Sequence, residues 1–283
     1  IVFDVVESKY NPTDKIILST AITAINTAMV NWSCESFTKN ELLKNNLTPL
    51  DYTVPDGNTI AELALAPNFL VAGASYTFVI SAQYLDSSKN KYEEVTIIMN
   101  SAPSGGTIEA DPTSGIVMDT DFYFSTFDWT DDPDDYPLTY VMSCYADSSS
   151  VTVIKTAGET TYVFAKVEQG LEENDYNVTA IAEASDMYGA SANTYTTLQV
   201  APEKDESKLF TNAEAGMEEA FTASDPVAVS QVINAVTAAM NTVNCTVYTP
   251  CAQLNRSSCL STPKTCGSCL NGYIGDPNDS NEP

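Results

Sequence analysis

The chain has 283 residues, 43% of them hydrophobic, and its 38 acidic against 12 basic side chains give a formal net charge of −26. This length suits two or three domains, and the scarcity of Lys and Arg argues against nucleic acid as a partner, because phosphate binding relies on basic side chains. Histidine is absent, which excludes serine–histidine and cysteine–histidine catalysis and removes the commonest transition-metal ligand, so we expect no enzyme.

The first residue is Ile, and the longest apolar runs, such as FLVAGASYTFVI, are interrupted by polar residues. A membrane-spanning helix needs about 20 predominantly apolar residues, so we expect no membrane insertion by this segment. A start at Ile is typical of a mature or trimmed part of a longer protein.

Alternation of apolar and polar residues predicts β-strands through most of residues 1–202. The segments MVNWSC, SYTFVISAQY, PLTYVMSCY and DYNVTAIAEA each place their apolar side chains on one face, which is the pattern of half-buried strands. The fold class is therefore predicted to be mainly β.

The strand pattern also repeats. Tyr76 and Tyr176 each open a strand and each follow a leucine, Leu70 or Leu171, as in the tyrosine corner of immunoglobulin-like sandwiches. We predict two tandem immunoglobulin- or fibronectin-III-like β-sandwiches, residues 1–103 and 104–202, since the repeat has the length of one such module. The alternative is one large mixed β domain.

The run DWTDDPDDYP, within the second predicted sandwich, is the strongest candidate for a binding site. Its carboxylates offer the hard oxygen ligands that calcium prefers, although the run lacks the glycine and the terminal glutamate of an EF-hand loop. The alternative is a solvated, proline-punctuated turn in an acidic protein. A catalytic pair of carboxylates is less favoured, because neighbouring exposed acids give no reason for one to stay protonated. The candidate calcium ligands are Asp128, Asp131, Asp132, Asp134 and Asp135.

Helical periodicity replaces the strand pattern in residues 203–244, where we predict a helical hairpin. The apolar stripe of its first helix consists of Leu209, Ala213, Met217 and Phe221. That of its second helix consists of Val229, Val232, Ile233, Val236 and Met240. Ser224 or Asp225 can cap the second helix, with Pro226 in its first turn. We expect the stripe to pack on the second sandwich or, alternatively, to form an interface with another molecule.

Residues 245–283 carry most of the cysteines and are predicted to form a small disulfide-rich module. These cysteines are Cys245, Cys251, Cys259, Cys266 and Cys269. A four-cysteine zinc site is the less favoured alternative, because the spacing does not supply two matched C-x-x-C pairs. Cys34 and Cys144 fall on inward faces of predicted strands and are expected to be buried free thiols, the alternative being a disulfide between subunits.

Sequons for N-linked glycans are spread along the chain. They begin at Asn31, Asn46, Asn177, Asn244, Asn255 and Asn278. Asn31 and Asn177 fall on the outward faces of predicted strands, where a glycan would stand in water. Together with the cysteine-rich tail, the sequons predict an extracellular glycoprotein, secreted or at the cell surface, because disulfides persist in oxidising compartments.

Residues 20–245 resemble the receptor-for-egg-jelly (REJ) region of the polycystin-1 family and its protist relatives. The similar motifs are NWSC, LVAGASYTFVISA, NSAPSGGTIEADPTSGI and DFYFSTFDWTDDPDDYPLTYVMSCY. Within them, the shared residues are Asn100, Pro103, Gly105, Pro112, Gly115, Trp129, Asp131, Asp132, Pro137, Leu138 and Tyr140. The tail, of the form C..LNR..C…TCG.C..GY.G…SN, resembles EGF-like repeats of secreted algal and ciliate proteins, although Cys266-x-x-Cys269 departs from their standard spacing.

The resemblance implies extracellular β-rich modules used in adhesion, surface coats or flagellar hairs, without enzymatic activity. It also implies that the EGF-like module is incomplete, with the last cysteine of the repeat just beyond Pro283 and Cys269 lacking its partner.

These features predict a structural subunit of an extracellular glycoprotein filament or surface coat, of the flagellar hair or glycofibril type, that self-associates into a polymer through contacts between modules. The alternative is an ectodomain segment of a polycystin-like receptor or cell-adhesion protein. A secreted hydrolase is a distant third, since the chain lacks histidine. Apart from the candidate calcium and N-linked glycans, we expect no cofactor.

Overall fold

The computed structural model describes the whole chain except residues 5–6, 86–89, 242–244, 246–249, 260–261, 263 and 283. The strands are β1 (Val2–Phe3), β2 (Ile16–Ala24), β3 (Ala28–Cys34), β4 (Asp51–Val54), β5 (Gly57–Leu65), β6 (Ser75–Tyr84), β7 (Asn90–Ile98), β8 (Thr107–Asp111), β9 (Ser114–Ile116), β10 (Phe122–Phe127), β11 (Thr139–Tyr145), β12 (Thr152–Gly158), β13 (Tyr162–Ala165), β14 (Asn177–Ser185) and β15 (Ser191–Ala201). The helices are α1 (Lys39–Asn45), α2 (Glu206–Ala223) and α3 (Pro226–Asn241). The mainly β fold class is confirmed.

Strands β1 to β7 form a sandwich of two antiparallel sheets, ordered β1-β2-β5 and β4-β3-β6-β7. The alternation predicted from the sequence orients each strand, since inward positions of β2 are buried and its neighbouring positions are not. Trp32, Phe78 and Ile80 are fully buried between the sheets, and each contributes about 1.5–3 kcal/mol by leaving water. This cluster is the core of the first sandwich.

Strands β8 to β15 form a second sandwich, with sheets ordered β13-β10-β8 and β12-β11-β14-β15-β9. Strand β9 runs parallel to the end of β15, with Gly115 opposite Val200, while the other pairs are antiparallel. Phe122, Phe124 and Met142 are fully buried in its core. The two sandwiches thus have separate cores that draw on successive stretches of the chain.

The predicted tyrosine corner forms in the first sandwich. There the hydroxyl of Tyr76 accepts a hydrogen bond from the backbone N–H of Val71 at 3.2 Å. The equivalent prediction for Tyr176 is wrong. Tyr176 has a left-handed backbone, with φ of 58°, and its N–H donates to the carbonyl of Leu171 at 2.9 Å. A backbone bond therefore ties the turn before β14.

The helical hairpin packs on the second sandwich, which was the first of the two arrangements expected for its apolar stripe. Leu209, Val232 and Ala235 are buried in the second core, and the Gln231 amide donates to the carbonyl of Ile154 on β12 at 3.1 Å. The carboxylate of Asp225 accepts from two N–H groups in the first turn of α3, so Asp225 is the N-cap of that helix.

Part of each predicted apolar stripe is wrong, because some of its members point to solvent. The exposed members are Phe221, Ile233 and Met240. Ala220, next to Phe221, is buried instead, whereas Val232 of the predicted stripe is buried as expected. A helix has 3.6 residues per turn, so a buried stripe must mix steps of three and four residues.

The tail contains two interleaved disulfides, Cys245–Cys259 and Cys251–Cys266, and a free Cys269. The zinc alternative is therefore wrong. Arg256 is buried between these bridges, where its guanidinium donates to the carbonyls of Gly267, Asp276, Asn278 and Glu282 at 2.7–2.9 Å. One rigid fork of donors thus holds several tail segments together.

Among the described residues, no helix has the length and apolar character needed to cross a membrane.

Candidate functional site at the junction of the sandwiches

The segment around Tyr10 carries two polar side chains to the end of the first sandwich. Tyr10 pairs in parallel with Met99, just after β7, through hydrogen bonds from its N–H to Ile98 and to its carbonyl from Asn100. In an extended segment, successive side chains point to opposite faces. Lys9 and Asn11, on either side of Tyr10, therefore share a face, and both reach residues of the second sandwich.

Lys9 inserts into the loop between β10 and β11. Its ammonium donates to both carboxylate oxygens of Asp135 at 2.5 and 2.7 Å and to Asp132 at 2.8 Å. The Asp135 side chain is fully buried and Lys9 is 13% exposed, whereas Asp132 is 59% exposed. The Lys9–Asp135 pair is therefore largely withdrawn from water. The ammonium also lies 5.9 Å from the centre of the Tyr188 ring.

A second set of contacts crosses the junction through Asn100. Its amide nitrogen donates to Asp186 at 2.7 Å and to Asn11 at 2.9 Å, and Asn11 in turn donates to the carbonyl of Tyr188 at 2.8 Å. Asp186 follows β14 and begins a turn, in which its other oxygen accepts the N–H groups of Tyr188 and Ala190. Asn100 and Asp186 are both buried.

These contacts bring three carboxylates together. Carboxylate oxygens of Asp131, Asp135 and Asp186 all lie within 4.8 Å of one another, and we refer to these three residues as the junction cluster. Desolvation, followed by the negative charges of Asp135, Asp186 and Asp132, raises the pKa of Asp131. Desolvation alone would lower the pKa of Lys9, but its hydrogen bonds and attraction to Asp132 and Asp135 outweigh that effect, so its pKa lies above the ordinary lysine value.

The junction cluster contains only part of the acidic run singled out from the sequence. Asp131, Asp132 and Asp135 lie at the junction, while Asp128 and Asp134 are exposed. Among the described residues, neither Asp128 nor Asp134 contacts the junction cluster, so the five acids do not converge on one point. Asp135 turns inward because it closes the short 3-10 turn Pro133–Asp135.

Sequence reasoning missed Lys9, Asn11 and Asp186. Lys9 is separated from Asp135 by 126 residues, and no local pattern reports such a distant contact. The sequence contained one weak indication for Asp186. An Asp just before a turn that contains a glycine, here Gly189, typically accepts hydrogen bonds from the backbone of that turn. Asn100 was noted only as part of the REJ resemblance.

The sequons occupy different settings. Asn177 and Asn278 are exposed, Asn31, Asn46 and Asn255 are partly buried, and Asn244 lies outside the described residues. The amide nitrogen of Asn31 donates to Asp51 and that of Asn177 to the carbonyl of Asn174. Glycosylation of any of them stays a prediction. Cys34 and Cys144 are buried free thiols, and desolvation, then the charge of Glu168, raises the pKa of Cys144.

Comparison with solved structures finds bacterial adhesins and a chimeric titin. A Ca²⁺-stabilized adhesin with which an Antarctic bacterium binds ice is 11% identical, with a TM-score of 0.36 over 68% of this chain and 45% of that one. A 1.5-MDa bacterial ice-binding adhesin is 12% identical, with a TM-score of 0.34 over 69% of this chain and 60% of that one. A chimeric titin Z1Z2 is 13% identical, with a TM-score of 0.30 over 69% of this chain and 91% of that one. The chain thus spans less than two thirds of either adhesin, and at these TM-scores the likenesses carry no inference.

By sequence, no curated protein matches the chain. The family model of the REJ domain matches residues 4–235. That range includes nearly all of both sandwiches and the whole of α2, but stops before the cysteine-rich tail, whose EGF-like character stays a prediction. Proteins of this family are extracellular and non-catalytic, which agrees with the disulfides in the tail. The chain therefore belongs to the REJ domain family and is an extracellular region.

Proposed function

We propose that the chain is a stiff, non-enzymatic structural unit of an extracellular glycoprotein filament or surface coat. The observation that carries this proposal is the junction, where Lys9 and Asn100 of the first sandwich bond buried carboxylates of the second. Modules joined by a small polar contact normally move relative to one another. Motion of one sandwich against the other would break the hydrogen bonds of the Lys9 ammonium to Asp132 and Asp135, which are charge-assisted and therefore among the stronger ones.

The connection between the sandwiches supports the same stiffness. Met99 bonds back to the first sandwich through Ala74, and Ser104 exchanges two backbone hydrogen bonds of 2.9 Å with Thr130 of the second. Only Asn100 to Pro103 separate these anchors, and both Asn100 and Pro103 are buried. A connection this short and this well anchored leaves little length for a hinge.

A cluster of exposed aromatic residues supports self-association as part of this proposal. On the outer side of the β13-β10-β8 sheet, the rings of Tyr123, Tyr162 and Phe164 lie together, with centroids 4.9 Å apart for Tyr123–Phe164 and 6.0 Å for Tyr123–Tyr162. We call these three residues the aromatic face. Phe164 is 66% exposed, and clustered exposed aromatic residues are enriched where proteins associate.

The sequon of the second sandwich leaves the aromatic face clear. Asn177 lies on β14, in the sheet opposite the one that carries the aromatic face, while Asn31 lies on β3 of the other sandwich. A glycan at Asn177 would therefore leave the aromatic face free for contact with a neighbour. A contact between different surfaces of two copies builds a filament when the rotation between them does not close into a ring.

Electron microscopy of the purified chain tests this proposal. We expect fibres with a regular axial repeat, loss of these fibres in Phe164→Ser, and their retention in Tyr195→Ser, because Tyr195 is a comparably exposed aromatic residue on the other sheet. Dispersed rods of the unmodified chain at all concentrations would contradict the filament. They would favour the second candidate, an ectodomain segment of a polycystin-like receptor or adhesion protein, for which the REJ family match is the supporting observation.

A further inference from the structure

The junction holds more negative charge than its lysine neutralises. Asp131, Asp132, Asp135 and Asp186 meet there, and the hydrogen bonds of Lys9 go to Asp132 and Asp135. Among the described residues, the donors to Asp186 are neutral amides, those of Asn100, Tyr188 and Ala190. Asp131 accepts the N–H of Asp132 with one oxygen. Two carboxylates of the junction cluster therefore have no cationic partner among the described residues.

Two buried side-chain oxygens of residues at the junction have no hydrogen-bond donor among the described residues. The carbonyl oxygen of the Asn100 side chain is buried and unpartnered, although the amide nitrogen of that side chain lies 2.7 Å from Asp186. The second oxygen of Asp131 is also buried and unpartnered. Buried polar atoms in folded proteins are almost always paired, so unpaired oxygens beside excess negative charge point to a missing cation.

We propose that the junction binds one divalent cation, calcium by the chemistry of its donors, through oxygens of Asp131, Asp135, Asp186 and Asn100. Calcium accepts six to eight carboxylate, amide, backbone and water oxygens in flexible geometry, whereas magnesium demands a near-ideal octahedron. The cluster supplies hard oxygen donors and no nitrogen or sulfur, which disfavours zinc and copper. The ligands come from both sandwiches, so the ion would fasten one to the other.

Lys9 sets the strength of this site. Its ammonium already neutralises part of the charge on Asp135, and it repels a second cation nearby. We expect a dissociation constant of about 0.1–1 mM, the range of extracellular calcium-binding modules.

Titration calorimetry of the full chain with CaCl₂ tests the assignment, with Asp131→Asn as the test variant and Asp134→Asn as its control. Asp134 is an exposed acid of the same loop, so its loss removes the same charge outside the cluster. We expect a calcium site in the unmodified chain and in Asp134→Asn, with affinity reduced about tenfold or more in Asp131→Asn. No calcium binding by the unmodified chain, or equal affinity in both variants, would overturn the proposal.

Thermal unfolding separates loss of a ligand from loss of the fold. The carboxylates of Asp131, Asp135 and Asp186 lie within 4.8 Å of one another, so removing one of these charges relieves repulsion when no cation is bound. Without calcium, in EDTA, Asp131→Asn should therefore unfold at the same or a higher temperature than the unmodified chain. In about 5 mM calcium, a concentration above the expected dissociation constant, the variant should show little of the stabilisation that the unmodified chain gains. A variant that is destabilised equally in both buffers would contradict a ligand role.

Lys9→Gln gives an independent test of location. Removing the ammonium next to Asp135 should raise the affinity for calcium about tenfold, because a repelling charge a few ångströms away is lost. Unchanged affinity would place the bound calcium elsewhere on the chain and contradict the assignment to the junction.

Discussion

Tyr76 and Tyr176 occupy equivalent positions in the two sandwiches, and both tie the turn that precedes a central strand, but by different bonds. In the first sandwich the N–H of Val71 donates to the Tyr76 hydroxyl, and in the second the N–H of Tyr176 donates to the carbonyl of Leu171. The repeat in the sequence located both turns. It could not distinguish them, because the left-handed backbone of Asp175 and Tyr176 depends on close contact with Gly170.

Removing each phenolic hydroxyl should therefore have unequal effects. Tyr76→Phe deletes the acceptor for Val71 and should lower the free energy of unfolding by about 1 kcal/mol. Tyr176→Phe keeps the backbone bond and should change it by less than about 0.5 kcal/mol. Urea denaturation followed by tryptophan fluorescence measures both, and equal losses in the two variants would contradict the difference between the turns.

At the scale of elements, the sequence predicted the strands well and the helix faces less well. Strict alternation has a period of two, so each apolar residue of β6 or β14 falls on a defined side, and the structure buries those sides. Helix faces are broader, and apolar residues also occur beside the buried stripe. Phe221 follows Ala220 on α2, and the smaller residue is the one that is buried.

The helical hairpin should stabilise the second sandwich through its buried residues. Leu209→Ala removes a side chain that is 6% exposed and should cost about 2–4 kcal/mol of unfolding free energy, because it leaves a cavity in the second core. Phe210→Ala, which truncates a side chain that is 49% exposed, should cost less than about 0.5 kcal/mol. Chemical denaturation compares the two, and a larger loss for Phe210→Ala would reverse our assignment of the buried face.

At the scale of the whole molecule, the junction depends on residues that no local pattern joins. The acidic loop was visible in the sequence because it is contiguous, and three of its five acids reach the junction. Lys9, Asn100 and Asp186 are assembled only when both sandwiches have formed and the short connection sets them side by side. The candidate site was therefore half predictable, since the carboxylates of one loop were found and their partners across the junction were not.

The junction should govern how stiffly the two sandwiches are held. Lys9→Met leaves the buried Asp135 without its counter-ion, a loss of about 3–5 kcal/mol for a buried pair. In EDTA we expect small-angle scattering to show a wider spread of distances between the sandwiches. Lys39→Met removes an ion pair with Asp51 in which the side chains are 58% and 42% exposed, and such surface pairs contribute about 0–1 kcal/mol. Scattering from this control should match that of the unmodified chain, and identical scattering from Lys9→Met would contradict a stiff junction.

The distance in sequence between Lys9 and Asp135 has a consequence for biosynthesis. Chains emerge from the ribosome N-terminus first, and domains generally fold as units in that order. The first sandwich can complete its core while the residues that pair with Lys9 and Asn100 are still being translated, so both side chains meet water at that stage. Only after the turn at Asp186 has been synthesised can the two halves dock. Docking is thus the last step of folding for this pair of sandwiches. A prematurely terminated chain would expose Lys9 and Asn100 to solvent, whereas the finished protein largely buries them at the junction.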